Sequence, residues 1–135
     1  MTAIASSKTL LGRTLLLDGV ISGATGALMF LAAAPLSNLL GMGESLLRIA
    51  GFSLLPFAAL LLFLAARPSV PRALVWGIVG ANVLWTADSL LLLTTDWVAP
   101  TTLGYAFTLF QAVAVAGFAA LQYVGLRGAR TLVHA

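Results

Sequence analysis

Residues 14–34 read TLLLDGVISGATGALMFLAAA, an apolar run that contains a single charged side chain, Asp18. An α-helix needs about 20 mainly apolar residues to cross the hydrocarbon core of a bilayer. The stretch therefore predicts a membrane-spanning helix. A carboxylate in such a helix is energetically costly, which makes Asp18 a candidate functional residue.

Three more runs of similar length and character follow, and the four predicted spans are residues 14–34, 46–66, 73–95 and 102–124. The links between them are short, so consecutive spans are expected to be antiparallel. The sequence thus predicts an all-α fold, an integral membrane four-helix up-down bundle formed by one transmembrane domain, residues 1–135. A weak similarity between residues 51–56 and 106–111 leaves open a 2+2 internal repeat.

Composition excludes an ordinary soluble domain. Of the 135 residues, 61% are hydrophobic and only 8% are charged, whereas soluble domains contain about 25% charged residues. Seven lysines and arginines are too few for a nucleic-acid-binding surface, so membrane lipids are the expected surroundings and no nucleic acid is expected as a partner. With no cysteine and one histidine, His134, we expect neither a metal nor a cofactor.

The basic residues predict the orientation in the membrane. One of them, Arg48, falls near the end of a span opposite to all the others, which are Lys8, Arg13, Arg67, Arg72, Arg127 and Arg130. Basic residues concentrate on the cytoplasmic side of membrane proteins. We therefore expect both termini and the link between the second and third spans to be cytoplasmic. The compact links and the lack of processing signals favour a bacterial inner (plasma) membrane.

The first span has a polar face and a small-residue face. Asp18, Ser22 and Thr25 are spaced i, i+4 and i+7, so they lie on one side of the helix. A second set of residues allows close helix packing, and it consists of Gly19, Gly23 and Gly26. This glycine face would contact either another helix of the same chain or a second copy in a homo-oligomer.

The third span carries the densest polar group, namely Asn82, Trp85, Thr86, Asp88 and Ser89. Tryptophan prefers the membrane interface, so Trp85 inside a span indicates either a cavity wall or an indole N–H bonded to a facing acceptor. Arg48, near the same end of the second span, is expected to pair with Asp88. The competing arrangements are a pair with Glu44 and a side chain that extends to lipid headgroups.

The fourth span adds Tyr105, Thr108 and Gln111 at a spacing of three residues. Gln111 lies near the middle of the membrane and must find a hydrogen-bond partner there. These residues are candidates either for lining a pocket or for holding helices together.

Apolar walls with a few converging polar groups are typical of ligand sites. The residues predicted to form such a site within the membrane are Asp18, Asp88, Arg48, Asn82, Trp85 and Gln111. The leading hypothesis is binding and translocation of a small cation, a proton or an amphiphile, with a homo-oligomer to enclose enough volume. One alternative is a monomeric pocket that binds a lipophilic small molecule, or isomerises it with the carboxylates as acid and base. Another is a structural or accessory membrane subunit.

No enzyme motif is present, since the chain lacks the HExxH, phosphate-loop and dinucleotide-binding patterns. No catalytic residue is assigned, and a non-enzymatic role is favoured.

Overall fold

The computed structural model of the chain describes residues 3–5, 9–129 and 131–132. The helices in this part of the chain are α1 (Leu10–Leu31), α2 (Ala33–Leu40), α3 (Glu44–Ala65), α4 (Arg72–Leu92) and α5 (Thr102–Gly128). The strands are β1 (Ala3–Ala5), β2 (Ser69–Pro71) and β3 (Thr131–Leu132). Three residues discussed above, Lys8, Arg130 and His134, lie outside the described residues.

Four helices, α1, α3, α4 and α5, are long and apolar enough to cross a membrane. The prediction of four long apolar helices is confirmed, and each helix begins and ends within about one turn of its predicted bounds. Their length and composition support a membrane protein.

The link between α1 and α3 contains a helix that the sequence did not predict. The first span was predicted to extend to Ala34, but α1 ends at Leu31 and Pro35 is the third residue of α2. Proline is tolerated there because the N–H groups of a first helical turn have no partner within the helix. Gly41 ends α2 with a φ of 70°, a conformation that favours glycine. The backbone N–H of Thr101 then donates to the Leu40 carbonyl at 3.0 Å, which ties α2 to the start of α5.

A small antiparallel sheet is the second feature that the sequence did not predict. Its strand order is β2-β1-β3, with Ile4 paired to Val70 on one side and to Thr131 on the other. The sheet brings the N-terminal segment, the α3–α4 link and the C-terminal segment to one end of the molecule, the sheet end. Ile4 and Val70 are buried there in an apolar cluster with Leu15 and Leu126. Strands this short carry too little alternation to be predicted from sequence.

Helix α1 packs most extensively on α3, through its small-residue face. Three of the residues on this face are Gly19, Gly23 and Gly26. A Cβ atom on Gly26 would lie 2.8 Å from the carbonyl oxygen of Gly51, so only glycine permits this approach. Gly19 faces Leu62 whereas Gly26 faces Gly51, so the two helices are antiparallel. The glycine face is therefore covered by α3 within the chain.

Helices α3 and α4 hardly touch, although they are consecutive in the sequence. Helix α4 packs on α5 instead, and α5 also packs on α1. Because α3 packs against the small-residue face of α1, a gap remains between α3 and α4. This gap positions the candidate site.

Candidate functional site

Asp18 is the centre of a buried hydrogen-bond cluster that joins three helices. The Asp18 cluster consists of Asp18, Ser22, Asn82 and Gln122. Ser22 Oγ donates to Asp18 Oδ1 at 3.0 Å, within α1. Asn82 Nδ2 from α4 and Gln122 Nε2 from α5 both donate to Asp18 Oδ2, at 2.8 and 2.7 Å. Asp18 is 0% exposed, and three donors compensate for the loss of water around its carboxylate.

The amides of Asn82 and Gln122 also bond to each other. Asn82 Nδ2 donates to Gln122 Oε1 at 2.8 Å, which closes a triangle with Asp18. Gln122 is 0% exposed, and the sequence reasoning missed it. Its spacing from Gln111 is eleven residues, which is three helical turns, so the two glutamines lie on the same side of α5. That spacing is the signal that would have found it.

A second polar cluster lies about three turns earlier on α5. The Gln111 cluster consists of Trp85, Ser89 and Gln111. The indole N–H of Trp85 donates to Gln111 Oε1 at 2.7 Å. Gln111 Nε2 donates to Ser89 Oγ at 2.9 Å, and Ser89 Oγ donates to the Trp85 carbonyl at 2.8 Å. Trp85 and Ser89 of α4 are thereby both bonded to Gln111 of α5. The indole N–H of Trp85 thus has an acceptor within the bundle.

The gap between α3 and α4 contains two open cavities with mainly apolar walls. The first, the Asn82 cavity, has a volume of about 430 Å³. Its polar lining residues are Ser22, Thr25, Ser53, Asn82, Trp85 and Gln111. Aromatic side chains from α3 and α5, among them Phe57 and Phe110, form much of the remaining wall. The volume is in the range of ordinary small-molecule sites.

The second cavity, the Asp88 cavity, has a volume of about 460 Å³. Trp85, Phe107 and Gln111 line both cavities, so the two adjoin. Within the part of the chain that the structure describes, Asp88 is the one charged side chain that lines either of them. Trp97 and two methionines contribute to the same wall. A carboxylate thus lines a cavity whose wall is mainly aromatic and apolar.

The expected pair between Arg48 and Asp88 is not formed. Arg48 Nη1 lies 3.3 Å from Glu44 Oε2, one turn earlier on α3. Helix α3 does not pack alongside α4, because its close packing is with α1. Among the described residues, no hydrogen bond or ion pair to the Asp88 carboxylate is found. Arg48 lines neither cavity, so the structure does not bring it into the site.

Asp18 and Asp88 also lie apart. Asn82, the α4 partner of Asp18, precedes Asp88 by six residues, which is about 9 Å along the helix axis. Asp18 lines neither cavity. The two carboxylates therefore have different surroundings. Asp18 accepts three hydrogen bonds, whereas Asp88 lines a cavity.

The remaining predicted residues are distributed around these features. Thr86 Oγ1 donates to the Asn82 carbonyl at 3.0 Å within α4. Thr108 is buried and lines the Asp88 cavity, while Thr25 lines the Asn82 cavity. Tyr105 is exposed and lines neither cavity.

No protein-family model, no curated protein and no solved structure matches the chain. Within residues 3–5, 9–129 and 131–132, no three histidine, cysteine, aspartate or glutamate side chains form a group that could hold a metal ion.

Proposed function

We propose that the chain is a four-span membrane protein that binds an amphiphilic molecule in the gap between α3 and α4. The apolar part of the ligand occupies the two adjoining cavities, and a positively charged group lies at Asp88. The observation that carries this proposal is the unpaired Asp88 carboxylate in the wall of a mainly apolar and aromatic cavity.

The make-up of the Asp88 cavity supports a cationic group in particular. Trp85, Trp97 and Phe107 line it together with Asp88. Aromatic faces attract organic cations, and the attraction increases where water is excluded. Arg48 does not compete for the carboxylate, because it is paired with Glu44. An anionic ligand would meet a like charge, and no basic side chain among the described residues lines either cavity.

The proposal extends to topology and location. The sheet end carries Arg13, Arg67, Arg72 and Arg127, whereas Arg48 lies toward the opposite end. Applying the positive-inside rule, we place the sheet end in the cytoplasm and the α4–α5 link outside. The bundle then has both termini cytoplasmic in a bacterial inner membrane, and the Asp88 cavity is in the outer half of the bilayer.

Translocation is a second candidate function, and the adjacency of the two cavities favours it. Trp85, Phe107 and Gln111 form the boundary that a molecule would pass between the cavities. Flux of a cationic ligand across the membrane of proteoliposomes tests this candidate separately. A protein that only binds its ligand supports no such flux.

A pair of ions of equal shape and opposite charge tests the binding proposal. We would measure equilibrium binding of tetraphenylphosphonium and tetraphenylborate to the protein in lipid nanodiscs, after subtracting uptake by protein-free nanodiscs. We expect saturable binding of the phosphonium alone. Asp88→Asn should weaken it about tenfold, equivalent to about 1.4 kcal/mol.

Asp96→Asn is the matched control, because Asp96 is an exposed carboxylate at the same end of α4 that lines neither cavity. Its binding should equal that of the wild type. Saturable binding that is unchanged in Asp88→Asn, or an absence of saturable phosphonium binding, contradicts the proposal.

A further inference from the structure

The amide of Asn82 is held in one orientation by its neighbours. Asn82 is 3% exposed, and its nitrogen donates to both Asp18 Oδ2 and Gln122 Oε1. Turning the amide over would place its oxygen against these two oxygens, with no hydrogen between them. The Asp18 carboxylate therefore acts as a positioning group that fixes which end of the Asn82 amide faces away from it.

The opposite end of that amide is an acceptor without a donor. No described residue donates to Asn82 Oδ1. Every fully buried side-chain nitrogen or oxygen among the described residues has a partner, so Asn82 Oδ1 keeps some exposed surface, and the residue lines the Asn82 cavity. A nearly buried acceptor without a partner is unfavourable, and a bound molecule that donates to it relieves that cost.

Two nearby hydroxyl groups have already used their hydrogens. Ser22 Oγ donates its hydrogen to Asp18, and Ser53 Oγ donates to the Ala50 carbonyl at 2.7 Å. Both line the Asn82 cavity and can offer only lone pairs to its contents. Together with Asn82 Oδ1, these two oxygens favour a hydrogen-bond donor on the ligand.

We propose that the Asn82 cavity recognises a hydroxyl or N–H donor on the apolar body of the ligand, through Asn82 Oδ1. This inference rests on the proposed function, since it specifies the chemistry of the molecule that the gap binds. It adds a requirement that Asp88 does not impose. The ligand class is an amphiphile with a hydrogen-bond donor on the part that lies in the Asn82 cavity, about 9 Å along α4 from the group at Asp88.

A matched pair of uncharged probes tests this inference. The probes are 2-naphthalenemethanol and its methyl ether, which share an apolar body and an acceptor oxygen but differ in the donor. We would measure the binding of each by equilibrium dialysis against the wild-type protein in nanodiscs, corrected for uptake by empty nanodiscs. The alcohol should bind about five- to tenfold more tightly than the ether.

Asn82→Leu keeps the branching of the side chain at Cγ and removes the acceptor. It should reduce alcohol binding to the level of the ether and leave ether binding within about twofold of wild type. Thr25→Val is the matched control, because it changes a polar lining residue of the same cavity that the Asp18 cluster does not orient. This variant should keep the preference for the alcohol. The wild-type comparison needs no variant, so it remains decisive even if Asn82→Leu fails to fold.

Equal binding of alcohol and ether to the wild type overturns the inference and leaves the binding function intact. Binding of neither probe, together with no saturable phosphonium binding, overturns the proposed function itself. A preference for the alcohol that persists in folded Asn82→Leu overturns the role of Asn82.

Discussion

Asn82 and Asp18 are joined by a hydrogen bond of 2.8 Å that links α4 to α1, two helices that otherwise contact each other little. Helix α4 therefore approaches α1 mainly through polar side chains, while α3 approaches α1 through close backbone contact at Gly26 and Gly51. Because α3 and α4 contact α1 in these two different ways, they do not pack on each other, and the gap remains between them.

Asp18→Asn should destabilise the protein, because an asparagine presents one acceptor oxygen where the carboxylate presents two. One of the three donors then loses its acceptor. We expect a loss of about 2 kcal/mol in the free energy of unfolding, since hydrogen bonds inside membranes contribute about 0.6–2 kcal/mol each. Equilibrium unfolding in mixed micelles measures this loss.

Asp88→Asn is the control and should change stability by less than about 0.5 kcal/mol, because the Asp88 carboxylate is exposed and unpaired. Equal losses in the two variants would contradict this assignment.

Asn82→Ala and Gln122→Ala should not be additive. Each residue donates to Asp18 Oδ2, and they are bonded to each other. Residues in one network show interaction energies of about 0.5–3 kcal/mol. A double-mutant cycle on unfolding free energies should give a coupling of about 1 kcal/mol. Coupling below about 0.3 kcal/mol would show that the triangle does not act as a unit.

Gly26→Ala should separate α1 from α3. The added Cβ would lie 2.8 Å both from the Gly51 carbonyl oxygen and from Leu54 Cβ, so the helices must move. Overpacking of this kind costs about 1–3 kcal/mol. Gly77→Ala is the control, since nothing lies within 4 Å of a Cβ at Gly77 and alanine is the better helix former. Thermal unfolding should show a lower midpoint for Gly26→Ala alone; an unchanged midpoint would exclude this close approach.

The proposed topology can be read directly, because the chain contains no cysteine. Single cysteines replace Pro68 in the α3–α4 link and Asp96 in the α4–α5 link, both of which are exposed. In intact cells, a membrane-impermeant maleimide should label Asp96→Cys and not Pro68→Cys. Permeabilised cells should show both labelled. The reverse pattern in intact cells would invert the orientation and place the Asp88 cavity on the cytoplasmic side.

The sequence predicted the long helices well because each is an apolar run of membrane-spanning length. It failed where geometry depends on contacts between distant residues. The first span was predicted to extend to Ala34, yet a new helix begins at Ala33, and Pro35 in its first turn is compatible with that helix. The strands were missed because their pairing depends on residues brought together from three separate parts of the chain.

The site was predictable in its residue types and not in its pairing. Asp18 was selected correctly as a carboxylate that needs partners, but its position in the chain does not reveal that Asn82 and Gln122 supply them. The expected pair of Arg48 and Asp88 assumed that consecutive spans pack together. Helix α3 packs on the glycines of α1 and has little contact with α4. The periodicity of a single helix does not predict which other helix it packs against.

The central claim, that the gap between α3 and α4 binds an amphiphile, is tested most directly by native mass spectrometry of the protein released from lipid nanodiscs. We expect one defined lipophilic molecule per chain, with a basic group and a hydroxyl or N–H donor. Ala114→Trp, which fills the Asn82 cavity, should yield folded protein without that molecule. A wild-type protein that carries no defined molecule, or an Ala114→Trp variant that retains the same one, would contradict the account.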